Sequence, residues 1–381
     1  NRYPDGKRWG LFYGGGLGWE MGNEDFIKEN LPWISGWKWR ATYAKTGNAN
    51  IDLNASLYYA YSQTYSSNNN GKNYQVGTGY TTVYYQYEGS LANPYITWEK
   101  GNKFDVGTDI SFFRNHLLLA ADYYHDVYSD VLGYRGNSIA LLGTGYPLEN
   151  IGKNQYHGFE LSLTYNNHLG NFNYFVTTNG NLAYSKIVYN DELATPYAWN
   201  RRTGLPVSGT FYGYTSLGLY QNAADAASSA HIAGYTPQPG DIKYKDLNGD
   251  GVINASDETM IGNPYPKFTY GFNVNMGYKG FDLTVAIYGS QGNKIWDGTH
   301  DFSSPLNNYS AEILGRWTGE GTSNKLPRVT DGAELNQNWI RSSDLYIKNG
   351  SFLRIKSVNL GYDFKKLFPE MPIQQLRLYV S

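Results

Sequence analysis

The residues best suited to chemistry lie in one short stretch, D-L-N-G-D-G-V-I-N-A-S-D, which runs from position 246 to position 257. Oxygen-bearing side chains recur at its positions 1, 3, 5, 9 and 12, and a glycine at position 6 permits a sharp turn. Calcium prefers oxygen ligands, and loops with this spacing supply them from side chains and one backbone carbonyl. The predicted metal ligands are Asp246, Asn248, Asp250, the carbonyl of Val252, Asn254 and Asp257.

A second interpretation of this stretch needs no metal. Asn, Asp and Gly also build turns whose side chains bond to their own backbone. The closing Asp257 stands where EF-hand loops carry a longer Glu, and in this respect the stretch resembles the loops of dockerin modules. No helical pattern flanks the stretch, so a bound Ca²⁺ is expected to be structural and to stiffen a long loop.

Other kinds of chemistry find little support in the sequence. The chain has no cysteine, which excludes disulfides and thiolate metal sites. The six histidines show neither H-x-x-x-H nor H-E-x-x-H spacing, and no G-x-S-x-G is present. We therefore predict that the chain is not an enzyme, and we disfavour a membrane-embedded Ser/His hydrolase. The net charge of -2 without a basic patch argues against nucleic acid as a partner.

Aromatic clusters are the other candidate contact sites. The chain contains 37 tyrosines, and such amphipathic rings suit membrane–water interfaces as well as the recognition of sugars or peptides. Loop packing or an interfacial girdle is the alternative role for each ring. The candidate substrate or lid contacts are Tyr58, Tyr59, Tyr85, Tyr87, Phe211, Tyr212 and Tyr214.

Alternating apolar and polar residues predict β-strands along the whole chain. In 268–278 and 281–288, apolar side chains occupy every second position on either side of the turn Lys279-Gly280, which is the pattern of a β-hairpin. Similar runs predict about ten strands, near residues 9–20, 36–46, 103–113, 117–128, 159–165, 172–188, 268–278, 281–288, 351–362 and 374–381.

Short turns and long loops alternate between these strands. Short turns are predicted at 114–116, 166–171 and 279–280, with longer ones near 21–35 and 363–373; the long loops are 47–102, 129–156, 189–267 and 297–349. This alternation is typical of an all-β, transmembrane antiparallel β-barrel of the outer membrane, with short periplasmic turns and long extracellular loops. A soluble β-sandwich or propeller is the alternative. In the barrel, the calcium motif lies in an extracellular loop.

Several sequence blocks resemble one protein family. The blocks D-I-K-Y-K-D-L-N-G-D-G-V-I-N-A-S-D and I-G-N-P-Y-P-K-F-T-Y-G-F-N-V-N-M-G-Y-K-G-F-D-L-T-V-A-I-Y-G-S-Q-G-N-K-I-W are similar to the C-terminal part of SusC/RagA proteins, the TonB-linked outer-membrane transporters of Bacteroidetes. W-K-W-R-A-T-Y-A-K-T-G-N and L-G-R-W-T-G-E-G-T-S-N-K-L-P-R agree, in the family's order.

The resemblance implies a fold and a domain organisation. The expected fold is a fragment of a plugged barrel of about 22 strands. All of 1–381 is expected to be part of a TonB-dependent receptor β-barrel domain, with the plug, the TonB-binding segment and the last strand outside this chain.

The resemblance also implies a function and partners. We expect active import of oligosaccharides or peptides across the cell outer membrane, with a SusD-like lipoprotein as an extracellular lid and TonB acting through a region outside this chain. Outer-membrane lipid would surround the barrel, and transporter–lipoprotein pairs would form a dimer. The calcium loop would clamp the loop that carries Phe211–Tyr214. A passive porin or protein-conducting barrel and a barrel-anchored surface binding protein are the alternatives.

Overall fold

The computed structural model describes residues 3–49, 59–67, 74–76, 78, 81–83, 86–89, 91–136, 145–300, 308–330, 337–338 and 341–381. Its main element is a ten-stranded antiparallel sheet in which each strand pairs with the next along the chain. This arrangement confirms the number of strands predicted from the alternating pattern. The strands are β1 Gly14–Trp19, β2 Ile34–Asn48, β3 Glu99–Phe112, β4 Leu117–Gly133, β5 Glu149–Leu169, β6 Phe172–Tyr189, β7 Phe268–Tyr278, β8 Phe281–Gln291, β9 Phe352–Asp363 and β10 Arg377–Val380.

The two faces of the sheet differ in chemistry. Because side chains alternate along a strand, the pairing of Gly107 with both Arg40 and Asp122 places these residues on one polar face. The opposite face is apolar, and its large side chains are exposed: Phe159, Leu161, Phe272, Met276, Leu353, Ile355 and Leu360. An apolar outer face with a polar inner face is the pattern of a barrel wall in a bilayer.

Tight turns join the strands at one end of the sheet. Between β7 and β8, Lys279 and Gly280 have φ values of 45° and 96°, and positive φ at both central residues is the mark of a type I′ hairpin turn. The β5–β6 turn uses Gly170 at φ 59°, and the β3–β4 turn contains Phe113, Arg114 and Asn115 at positive φ. The short turns predicted at 114–116 and 279–280 are therefore confirmed, whereas the turn predicted within 166–171 is confined to 170–171 because β5 continues to Leu169.

Several strand ends differ from the predictions. Strand β1 begins at Gly14 rather than near position 9, and β10 begins at Arg377 rather than 374. Strands β4 and β5 are much longer than predicted, so the expected loop 129–156 shrinks to 134–148. These extensions, mainly S-D-V-L-G at the end of β4 and E-N-I-G-K-N-Q-Y-H-G at the start of β5, lack the apolar–polar alternation on which the prediction depended.

The remaining helices and strands are short and lie mainly in the long loops. The helices are α1 Asp25–Asn30 and α2 Ala223–Ser228, with 3₁₀ turns at Met21–Asn23, Ala198–Asn200, Ala255–Asp257, Gly298–His300, Ala311–Gly315, Asp344–Tyr346 and Phe364–Lys366. The short strands are Tyr65–Ser67, Tyr74–Val76, Thr81–Val83, Gln86–Glu88, Phe211–Gly213, Ser216–Leu219, His231–Ile232, Ile242–Tyr244, Val252–Ile253, Thr259–Gly262, Lys294–Trp296 and Ile347–Asn349. Among the described residues, no helix has the length and apolar character needed to cross a membrane.

The main buried core lies in the long loops rather than in the sheet. It brings together residues of 190–267 and of the described parts of 308–351, which we call the loop subdomain. The buried members are Tyr214, Leu219, Ile232, Ile242, Tyr244, Ile253 and Tyr346. A smaller cluster of Tyr3, Ile96 and Leu148 packs elsewhere among the loops.

Candidate functional site in the long loops

Backbone hydrogen bonds join the two halves of the loop subdomain. The amide of Tyr214 donates to the carbonyl of Ser342 at 2.9 Å, and the amide of Asp344 donates to the carbonyl of Tyr214 at 3.1 Å. The Asp344 carboxylate accepts the amide of Ser216 at 2.7 Å. Segments about 130 residues apart in sequence are thereby held in register.

A buried ion pair reinforces this junction. The Arg328 Nε lies 2.6 Å from the Asp241 Oδ1, and Asp241 is only 1% exposed. The other oxygen of Asp241 accepts the Tyr235 hydroxyl at 2.6 Å and the amide of Gln238 at 2.9 Å. Burial opposes the charge of Arg328, but its hydrogen bond and attraction to Asp241 raise the pKa of the guanidinium. The carboxylate is thus well satisfied by donors from both loops.

The first half of the predicted calcium loop is a tight turn held by its own carboxylates. Asp246 accepts the amide of Gly249 at 2.6 Å and that of Gly251 at 2.8 Å. Both glycines have positive φ, 78° and 84°, a backbone conformation that residues other than glycine rarely adopt. Asp250 accepts the amide of Val252 at 2.8 Å, and Asn248 accepts that of Asp250 at 3.1 Å.

The second half of the loop is anchored in the core. Asp257 is 0% exposed and accepts the amides of Leu247 at 2.8 Å and Asn254 at 2.9 Å. The side chain of Asn254 in turn accepts the amide of Ser256 at 2.8 Å, which completes a capping box. Ile253, 1% exposed, inserts into the buried cluster.

These contacts bear directly on the fit of a metal ion. All the predicted ligands except Val252 contribute side-chain oxygens that already accept hydrogen bonds from the backbone of the loop. The interpretation without a metal requires such bonds. The described part of the chain contains no group of three or more His, Cys, Asp or Glu side chains arranged to hold a metal. Each carboxylate oxygen keeps a further lone pair for a cation. Calcium binding by this loop stays a prediction.

The loop is fastened to the segment that carries the predicted aromatic contacts. The Trp199 indole donates to the carbonyl of Ser256 at 2.8 Å, and the Asn200 amide donates to the carbonyl of Glu258 at 2.8 Å. Directly after the loop, Thr259–Gly262 pairs with Phe211–Gly213. The loop therefore positions the F-Y-G-Y segment through an adjoining strand, which is the connection that a clamp would need.

The structure separates the predicted aromatic contacts into different environments. Tyr58 and Tyr85 lie outside the described residues, whereas Tyr59 and Tyr87 are exposed. Phe211 and Tyr212 are half-buried, and the guanidinium of Arg202 lies 3.6 Å from the centre of the Tyr212 ring. Tyr214, at 3% exposed, belongs to the core, so its ring packs the subdomain and is not presented at the surface.

The polar face of the sheet carries a charged cluster. Arg40 pairs with Asp122 at 2.7 Å and with Asp109 at 3.3 Å. Glu160 accepts the side-chain amide of Asn181 at 2.6 Å. The strand register also places Asp105, Asp109 and Glu160 on this polar face.

A cavity that no sequence motif indicates opens in the loop subdomain. It has a volume of about 950 Å³, and its described walls come from 216–218, 312–326 and 344–348. Its walls come from three segments that are distant in sequence and carry no shared motif, so no pattern of residues could have revealed it. Its lining includes Leu217, Leu326 and Leu345 together with charged residues.

Comparison with known sequences identifies relatives along the whole chain. No protein-family model matches it. The chain is 29% identical to TonB-dependent receptor P3 of Formosa agariphila over 396 aligned positions, covering 100% of this chain and 38% of the relative. It is 26% identical to TonB-dependent receptor SusC of Bacteroides thetaiotaomicron, covering 97% of this chain and 35% of the relative. The chain thus spans well under half the length of these curated relatives, which are named as receptors and not as enzymes.

Comparison of folds gives the same result. The RagAB peptide transporter matches 100% of this chain and 41% of its own chain, with a TM-score of 0.71 and 20% identity. The same transporter in its open-open state matches with a TM-score of 0.72 and 21% identity. The resemblance seen in the sequence blocks is confirmed: the chain is similar along its length to TonB-dependent receptors, SusC among them, and its ten-stranded sheet has the fold of part of the RagAB transporter.

Proposed function

We propose that this chain is part of an outer-membrane, TonB-dependent importer of oligomeric nutrients, glycans or peptides. The observation that carries the proposal is the similarity to TonB-dependent receptors across the full length of the chain. The sheet supports it, because an apolar face suits lipid and a polar face with charged residues suits a hydrated interior. TonB itself would act through a region outside this chain.

The ordered loops favour an importer with a lid. In a passive porin, long loops need no common core, whereas here two loops share a hydrophobic core and a buried ion pair. Such a rigid extracellular platform suits the docking of a SusD-like surface lipoprotein, since pre-ordered loops lose little entropy on binding. The pairing of two transporter–lipoprotein units into a dimer belongs to the same proposal. A barrel-anchored binding protein is the second candidate, because it would use the same platform.

A structural Ca²⁺ in the 246–257 loop is a further part of the proposal. The ion would be held by Asp246, Asn248, Asp250, the carbonyl of Val252, Asn254 and Asp257. It would neutralise the charge of three carboxylates that lie in this one loop. Its effect would reach Phe211–Gly213 through the adjoining strand Thr259–Gly262.

Native mass spectrometry of the gently solubilised particle tests the proposed assembly. We expect a complete chain of about the length of the curated relatives, accompanied by a lipoprotein. A particle that contains a complete chain of only 42.9 kDa and no partner would contradict the importer and favour a small porin or anchor.

A further inference from the structure

The loop-subdomain cavity has an aliphatic floor that is accessible from outside. Leu217 is 55% exposed, and Leu326 and Leu345 line the same space. Leu314, 80% exposed, directly precedes the lining residue Gly315. Aliphatic surface open to water is stabilised when an apolar group covers it.

The cavity rim carries groups of both charges. Lys348 pairs with Asp297 and lies 3.8 Å from Glu312. The carboxylate of Asp344, which also lines the cavity, accepts the amide of Ser216. Lys325 is exposed and has no ion-pair partner within the described part of the chain. Asn324 also lines the cavity, and its side-chain oxygen accepts the amide of Leu219 at 2.8 Å, so its two N–H groups remain as donors for another acceptor.

The lining is better suited to a peptide than to a glycan. Sugar rings are commonly held against flat aromatic faces with polar neighbours. Tyr346 is the one aromatic residue among the described lining residues, and it is only 5% exposed because it belongs to the core. The leucines of the cavity can instead cover an aliphatic side chain of a peptide. The ammonium of Lys325 and the amide N–H groups of Asn324 can bind a peptide carboxylate or carbonyl beside that side chain.

We propose that this cavity binds a short peptide, with an aliphatic side chain against Leu217 and a peptide carboxylate near Lys325. The inference rests on the proposed importer function, since the cavity would then be a cargo-contact site on the extracellular loops. It selects peptides over glycans as the cargo class.

The test uses the complete transporter in detergent and isothermal titration calorimetry. The peptide probe is Ala-Ala-Leu-Ala-Ala with free termini, the same peptide with blocked termini tests the charge, and maltopentaose is the glycan probe.

The variant Leu217→Asn removes the aliphatic floor, and Leu193→Asn is its control, because Leu193 is 66% exposed in the same long loop but outside the cavity. Lys325→Glu reverses the rim charge, and Lys245→Glu, at an exposed lysine outside the cavity, is its control.

We expect Leu217→Asn to weaken binding of the free peptide about ten-fold, while Leu193→Asn leaves it unchanged. Lys325→Glu should weaken the free peptide several-fold and the blocked peptide less. Failure of the wild-type transporter to bind the peptide at millimolar concentration would overturn the inference. Binding of maltopentaose with the same dependence on Leu217 would overturn the peptide assignment.

TonB-dependent uptake by cells that express the same variants distinguishes failure of the cavity assignment from failure of the importer proposal. Uptake that persists without peptide binding at the cavity refutes only the cavity assignment. Peptide binding that is lost in Leu217→Asn without any energised uptake supports the cavity and refutes the importer.

Discussion

At the scale of single residues, Asp241 is the side chain on which the loop subdomain depends most. Its two oxygens receive Arg328 from one long loop, and Tyr235 and Gln238 from the other. Removing one partner of a buried ion pair is far more damaging than breaking an exposed one, because the remaining charge stays desolvated. Burial together with the nearby Asp241 also raises the pKa of Tyr235, so this hydroxyl remains a donor at neutral pH.

We predict that Asp241→Asn lowers the free energy of opening of the loop subdomain by about 3 kcal/mol. Hydrogen exchange at the amides of Tyr214, Arg328 and Asp344 measures this opening, since each donates a hydrogen bond across the junction. Asp225→Asn is the control: its pair with Lys243 is half-exposed, and we expect a loss of at most about 1 kcal/mol. Equal effects of the two substitutions would show that the buried pair does not hold the loops together.

Glu192 gives the loops a pH dependence that can be measured. Its carboxylate accepts the amides of Arg202 at 2.7 Å and Thr203 at 2.9 Å. Burial alone would raise the pKa of Glu192, but the hydrogen bonds from Thr203 and Arg202 lower it below its ordinary value of 4.5. A lowered folded-state pKa means that the stabilisation is present above 4.5 and is lost as the pH falls through the folded value.

We therefore predict that the amides of Arg202 and Thr203 lose protection from hydrogen exchange below pH 4.5, after correction for intrinsic exchange rates. Glu192→Gln should abolish this pH dependence, because the amide side chain does not titrate in this range. A wild-type protein whose protection at these amides is the same at pH 3 and pH 7 would contradict the assignment.

At the residue scale, the sequence predicts which neighbouring residues act together but not which distant residues meet. The oxygen-bearing residues of 246–257 could be selected because a loop places neighbouring residues together. Asp241 and Arg328 are 87 positions apart, and their pairing depends on how two loops fold onto each other. Tyr214 was selected as a surface contact for a related reason: an isolated tyrosine in a loop gives no sign of whether a core covers it.

At the scale of elements, the strands were the predictable part. Alternation of apolar and polar residues identified ten strands because each face of the sheet meets a different environment. The prediction failed where apolar and polar residues stop alternating, as in the outer parts of β4 and β5. The short loop strands were missed because they are two to four residues long.

The β7–β8 hairpin turn is expected to be sensitive to a single methyl group. Gly280 has φ 96°, and an added Cβ would lie 3.0 Å from the ring of Tyr362. We predict that Gly280→Ala destabilises the folded barrel by about 1 kcal/mol or more, measured as loss of resistance to SDS on heating. Gly277→Ala is the control, since the nearest atom to its Cβ would be 3.7 Å away. A barrel that tolerates both substitutions equally would contradict the argument.

The calcium loop is an element whose two interpretations can be separated. We predict that millimolar Ca²⁺, compared with chelator, increases the protection of amides 246–262 and of Phe211–Gly213 from hydrogen exchange. Asp250→Ala should remove the response to Ca²⁺ while Asp246 still bonds Gly249 and Gly251. Identical exchange in Ca²⁺ and in chelator would contradict calcium binding and favour a turn held by its own hydrogen bonds alone.

At the scale of the whole molecule, the parts have a consistent arrangement. The sheet separates an apolar face from a polar one, tight turns lie at one end, and a loop subdomain with its own core lies at the other. The sequence predicted this polarity from the alternation of short and long connections. It did not predict that the long loops would fold together, because that depends on contacts between residues far apart in the chain.

Energised uptake by cells that express the complete transporter tests the proposed import function most directly. Fluorescent oligosaccharide and peptide pools would be supplied to strains with and without TonB, and internal label would be measured over time. A TonB-dependent importer would accumulate one of the two pools, and this accumulation would be lost when TonB is removed. Equal entry without TonB would indicate a passive pore, and label that is bound at the surface but never internalised would indicate an anchored binding protein.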